Sequence, residues 1–233
     1  MTILRYLRQA TAGAMIAIAL TAAAQPRITP RIDVGAQAGV TLSKINFNPS
    51  VPQTMTSGFM AGGSFRYIEE RFFGILAEVN IEQRGWKEKY KPDEGGFAYK
   101  RQFTYIQVPV MTHIFFGSER VRGFFNAGPE IGFMIGKKTT ANFDYTDVTA
   151  VEGYPMTNRE TAQLNMDVKY RVDYGICAGL GVELQATPRN AFALEGRFYY
   201  GLHDVFANHK SDVFSASNGL SLQITLAYKY RLK

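Results

Sequence analysis

The sequence predicts an all-β protein: an eight-stranded antiparallel transmembrane up-and-down β-barrel with short periplasmic turns and long extracellular loops. Three observations predict it. Apolar and polar residues alternate with period two in eight segments, the links between segments alternate short and long, and the chain opens on an export signal.

Arg5 and Arg8 precede an apolar run from Ala10 to Leu20, and the small residues Ala22 and Ala24 follow it. This is the layout of a secretory signal. Thr11, Gly13 and Thr21 interrupt the run, which falls short of the about 20 apolar residues of a spanning helix. Cleavage after residue 24 leaves one domain, residues 25–233, starting at Gln25. Gln25, not cysteine, stands directly after the cut, which argues against a lipid anchor. The formal charge of +6 loses Arg5 and Arg8 and becomes +4, with no basic block or basic helix face. Nucleic acid is therefore not an expected partner. Cys177 is the only cysteine, so no internal disulfide framework exists. The 17 Phe, 13 Tyr and 22 Gly suit pleated sheets with aromatic girdles and close backbone approach.

The segments follow in order. Ile32, Val34, Ala36, Ala38, Val40 and Leu42 oppose Asp33, Gly35, Gln37, Gly39, Thr41 and Ser43. Phe59, Ala61, Gly63, Phe65 and Tyr67 oppose Met60, Gly62, Ser64 and Arg66. Phe73, Ile75, Ala77, Val79 and Ile81 oppose Glu78, Asn80 and Glu82, with Leu76 out of pattern. Ile106, Val108, Val110, Ile114 and Phe116 oppose Tyr105, Gln107, Met111 and His113. Phe125, Ala127, Ile131, Phe133 and Ile135 oppose Asn126, Gly128, Glu130 and Gly132, and Pro129 on the apolar face suggests a bulge.

The sixth segment holds the glycine-rich stretch "YGICAGLGVELQ", residues 174–185. A dinucleotide loop needs its third glycine and a helix after it. Here Leu184 takes that place, and Gly175, Gly179 and Gly181 all fall on the polar side, opposite Val172, Tyr174, Ile176, Ala178, Leu180 and Val182. It is a strand. Phe192, Leu194, Phe198, Tyr200 and Leu202 then oppose Glu195, Arg197 and Tyr199, and Leu220 to Tyr230 oppose Ser221, Gln223, Thr225, Lys229 and Arg231.

Short links fall near 69–71, 117–120 and 186–190; long polar ones cover roughly 44–57, 85–102, 137–170 and 203–218. A soluble sandwich also alternates. The polar face decides between them, because small residues among charges suit a narrow interior that side chains must fill, and a watery surface has no need of them. Arg66, Glu78, Glu130, Glu183, Glu195 and Arg197 are the expected lumen network, with a structural role through mutual compensation. The apolar face, with aromatics near strand ends, is expected to meet outer-membrane lipid.

"VGAQAGVTLSKI" (34–45), "AEVNIEQRGWK" (77–87), "YIQVPVMTHIFF" (105–116), "NAGPEIGFMIG" (126–136), "DYGICAGLGVEL" (173–184), "RFYYGLHDV" (197–205) and "LQITLAYKYRL" resemble, in order, strands of the PorT-like family of small outer-membrane β-barrel proteins. The resemblance implies an eight-stranded barrel in the outer membrane of a Gram-negative cell. Some members of that family take part in type IX protein secretion. Gln107, where the family commonly carries glutamate, and the closing "RLK" depart from the family pattern.

No catalytic, metal or cofactor site is expected. His113 reads as a lumen hydrogen-bonding group, and no His joins the glutamates at ligand spacing. Cys177 reads as small filler. His203-Asp204, and His209 with Ser211, lie at the loop side; the solvated-loop reading is preferred to hydrolysis of lipid A. Loops 86–102 and 138–168 mix charge with Tyr and Phe and are the expected surfaces for protein partners. The expected function is a filled barrel with a structural or interaction role; a secretion accessory, a surface hydrolase or a small channel are the alternatives.

Overall fold

The computed structural model describes residues 30–156, 159–206 and 213–233. The export signal, 1–24, lies outside them. Nine strands form: β1 (Arg31–Asn48), β2 (Gln53–Thr54), β3 (Thr56–Ile68), β4 (Phe73–Glu88), β5 (Tyr99–Gly117), β6 (Val121–Ala141), β7 (Val172–Gln185), β8 (Asn190–Asp204) and β9 (Ala216–Arg231). Eight of them close a ring through antiparallel pairs, from β1 to β3 and then in chain order to β9, which returns to β1. Closure satisfies the backbone of every strand from its neighbours, the condition for crossing hydrocarbon. The two-residue β2 lies outside the ring and pairs with Lys87 and Glu88 of β4.

Side-chain alternation sorts the chain across this wall. Val172, Ile176 and Leu180 are 44, 54 and 66% exposed, whereas Glu78, Glu130 and Glu183 are 4, 1 and 3% exposed. A soluble sandwich would invert both sets. The apolar residues therefore form the lipid-facing exterior and the charges line the interior.

The short links span 69–72, 118–120 and 186–189 between paired strands. At the second, Gly117 turns the chain with φ +124°, where a Cβ would lie 2.6 Å from the Val121 carbonyl oxygen. On the opposite side the strands run further than the sequence pattern suggests. The 21 residues of β6 extend roughly 70 Å at about 3.3 Å per residue, far more than a tilted crossing of a band about 25 Å tall requires. Beyond the band the pattern changes sign: Trp86, Tyr99, Phe103 and Tyr105 point inward, while Lys87, Lys100, Gln102 and Thr104 point outward. A rule that places apolar residues outside ends each strand too early, so Trp86–Glu88 and Tyr99–Gln102, read as loop, are strand.

Two irregularities resolve differently from expectation. Leu76 is not misplaced: it points inward and packs with Met111, Cys177 and Tyr199, a small apolar layer within the charged lumen. No bulge occurs at Pro129, which stays in register with Ile176. The β5–β6 register shifts instead between Thr104 and Tyr105. Pro129 lacks a donor but needs no extra residue, and the ladder resumes unchanged from Pro109–Glu130 to Thr112–Ala127.

The three glycines of β7 are there for close approach. A Cβ at Gly175 would meet the Tyr199 ring at 2.7 Å, at Gly179 the Glu195 carboxylate at 2.3 Å, and at Gly181 the Phe124 ring at 2.2 Å. Each glycine vacates the volume that a large inward neighbour fills, as a narrow lumen demands.

Candidate functional site in the lumen and extracellular cap

Inward parity brings the charged side chains into three tiers, each centred on one arginine. Nearest the short turns, Arg66 Nε and Nη2 donate to Asp33 Oδ2 at 2.9 and 2.7 Å, and its terminal nitrogens donate to Glu183 at 2.5 and 3.2 Å. Arg66 Nη1 also donates to His113 Nε2 at 3.2 Å. Since arginine only donates, His113 must carry its proton on Nδ1, which donates to Asn126 Oδ1 at 2.7 Å. That histidine is held as a neutral bridge.

In the middle tier Arg197 grips two carboxylates, Glu78 at 2.7 and 2.9 Å and Glu195 at 3.0 and 2.9 Å. Asn80 donates to Glu78 at 2.9 Å, Gln37 to Asn80 at 2.8 Å, and Asn126 to Glu195 at 3.1 Å. In the outer tier Arg84 donates to Glu82 at 2.6 Å, to Glu130, and to Asp173 at 3.4 Å, and its guanidinium lies 3.7 Å from the Tyr199 ring centroid. Gln107 donates to Glu82, as does Gln223 at 2.9 Å. A glutamate at 107 would put a fourth carboxylate beside one arginine.

All six residues expected in the lumen are inside it, each bonded to another charge. Arg66 holds Glu183, Arg197 holds Glu78 and Glu195, and Glu130 joins Arg84. Sequence reading left Asp33, Arg84, Asp173 and Lys229 out of the network, although their parity was readable: Arg84 follows Glu82 by two positions. Within the tiers seven buried carboxylates (Asp33, Glu78, Glu82, Glu130, Asp173, Glu183, Glu195) face four buried cations (Arg66, Arg84, Arg197, Lys229), while Glu88 and Arg101 are buried in the cap above. Arg31, Arg122 and Arg231 at the rim lie within 4 Å of Asp33 or Glu183, so seven negative charges meet seven positive ones. Mutual pairing is what makes such burial tolerable.

Above the outer tier an aromatic cap crosses the barrel. Trp86 is fully buried, with ring centroids 5.5 Å from Phe47, 5.9 Å from Phe103 and 5.9 Å from Phe206. The long link after β6 folds back onto this layer. Its one-turn α-helix, Ala162–Asn165, supplies the Leu164 carbonyl that accepts from the Tyr99 hydroxyl at 2.7 Å. Gln163 donates to Glu88 at 3.1 Å, and Arg159 bridges Glu88 and Glu94, each at 3.3 Å. Tyr90 and Tyr154 bring their hydroxyls to 3.3 Å, and burial, followed by that contact, pushes the Tyr90 hydroxyl well above its ordinary range. The described residues of segments 86–102 and 138–168 thus pack against one another.

His203 sits between the rings of Tyr170 and Tyr174, at 4.8 and 5.3 Å. Asp204 accepts from the Ser217 backbone and hydroxyl, which ties the last long link to β9. His209 and Ser211 lie outside the described residues. Among the described residues no three His, Cys, Asp or Glu side chains converge as metal ligands.

Among the solved structures that match, two are similar to this chain as follows. The outer membrane protein OprG of Pseudomonas aeruginosa is 12% identical with a TM-score of 0.52, covering 88% of this chain and 97% of that one. Neisserial surface protein A is 13% identical with a TM-score of 0.46, covering 87% and 99%. No curated protein matches the sequence. Residues 23–207 match the model of the outer membrane protein beta-barrel domain. The fold, its lipid-facing band and this match place the protein in the outer membrane, and the chain belongs to the outer membrane protein beta-barrel domain family.

Proposed function

We propose that the protein is a closed, structural barrel whose extracellular cap serves as an interaction surface for a protein partner. The observation that carries this reading is the double obstruction of the axis. Three ion-paired tiers fill the lumen, and the Trp86 layer lies across its outer end. Solute passage would require breaking several charge-assisted bonds in sequence, each worth roughly 1.5–3 kcal/mol net. Segments 86–102 and 138–168 are the surface left for recognition, and the lumen network of Arg66, Glu78, Glu130, Glu183, Glu195 and Arg197 has the role of holding the staves in register. Residues 1–24 are removed at export in this reading, which the intact mass of the membrane form tests. Planar-bilayer recording is the main experiment: the refolded protein is expected to give no ohmic steps. Sustained unitary currents would replace this reading with a channel.

A second reading follows from the ordered resemblance to PorT-like strands: an accessory of protein secretion. Deletion would then leave exported cargo in the periplasm, and unchanged cargo distribution would remove the idea.

A further inference from the structure

The lumen and its rim balance as a whole, but the positive charge is concentrated at the periplasmic rim while the carboxylates it offsets lie deeper. Asp33 and Glu183 are each held by Arg66 and are then shared with three more guanidiniums. Arg31 reaches Asp33 at 2.9 Å, but Arg231 stands 3.8 Å from Asp33 and Arg122 3.9 Å from Glu183, both beyond hydrogen-bond distance. Four arginines therefore draw on two carboxylates, a surplus of two. Arg71 and Lys233 add two and Glu70 subtracts one, so the side chains in this cup of about 440 Å³ and in the tier just beneath it leave a surplus of three.

The cup does not end at the barrel mouth. Arg71 and Arg122 also border a second hollow of about 170 Å³, whose far wall is Phe72 and Phe116 with Glu119, so the two together keep a surplus of two. Phe72 and Phe116 are 56 and 60% exposed on the lipid side. Among the described residues neither Arg71 nor Arg122 donates a side-chain hydrogen bond. Each stacks on an aromatic ring instead, Arg71 at 5.3 Å from Phe72 and Arg122 at 5.6 Å from Phe115, which leaves the edge of Arg71 free and that of Arg122 facing only Glu183 at 3.9 Å.

We propose that Arg71 and Arg122 bind the phosphate of an anionic phospholipid of the periplasmic leaflet, with Phe72 and Phe116 supporting the start of its acyl chains. Planar guanidiniums suit a phosphate bidentately. The continuity from cationic cup to exposed rings selects a lipid over a soluble anion, which has no use for the greasy shelf. Occupancy would also quench the repulsion among Arg31, Arg122 and Arg231.

The test is native mass spectrometry of the full mature protein released from micelles containing equal phosphatidylglycerol and phosphatidylcholine. The wild type should retain phosphatidylglycerol, and Arg122→Gln or Arg71→Gln should each reduce that retention roughly tenfold. Arg189→Gln, a single charge removed at another periplasmic turn, should leave it unchanged. Heat-modifiable gel migration verifies that every variant is folded. Equal retention by wild type and both variants, or an equal loss in Arg189→Gln, would overturn the proposal. So would displacement of the lipid by millimolar inorganic phosphate, which would assign the cup to a soluble anion.

Discussion

Arg197→Met is expected to destabilise the barrel by about 3–5 kcal/mol, because it strands Glu78 and Glu195 as uncompensated charges in a buried tier. The guanidinium makes four hydrogen bonds to the two carboxylates, and Asn80 and Asn126 are already committed to them. Lys229 is a buried cation whose charge also reaches Glu78 and Glu195, but Glu183 acts on it more strongly than either. The companion variant Arg197→Met with Glu78→Gln and Glu195→Gln removes all three charges and is expected to recover most of the loss. Unfolding in urea, followed by the loss of the strand signal in far-ultraviolet circular dichroism, measures both. A loss below about 1 kcal/mol for the single variant, the range of exposed pairs, would mean that water reaches this tier and that the lumen is open.

The same pairing explains what sequence could and could not reveal. Alternation exposes the two faces wherever the outside is lipid, so the eight staves and the six expected lumen charges could be read from parity alone. Parity does not say which carboxylate meets which cation. Glu183 lies 117 residues from Arg66 and Glu78 119 residues from Arg197, and those meetings are set by the closure and shear of the ring. The outer ends of the strands were hidden for a different reason. Above the bilayer the outward positions become polar and the inward ones aromatic, so the sign of the pattern reverses without any break in the strand. Trp86 and Tyr99 therefore look like loop residues until the backbone places them in a core.

That core is separable from the charged tiers below it, which sets the second large effect. The cap cluster around Trp86 and the inner layer of Leu76, Met111, Cys177 and Tyr199 are distinct apolar groups, with Arg84 and its carboxylates between them. Trp86→Ala should cost about 3–5 kcal/mol as a core truncation, since the indole contacts Phe47, Tyr99, Phe103 and Phe206. The loss should be local. Lys89 and Arg101 should become sensitive to trypsin, while the lipid-embedded barrel keeps its heat-modifiable migration. Trp86→Phe, which retains much of the ring volume, should remain largely protected. If Trp86→Ala instead unfolds the barrel together with the cap, the aromatic layer is part of one cooperative unit, and loops 86–102 and 138–168 cannot rearrange around a partner without endangering the membrane domain.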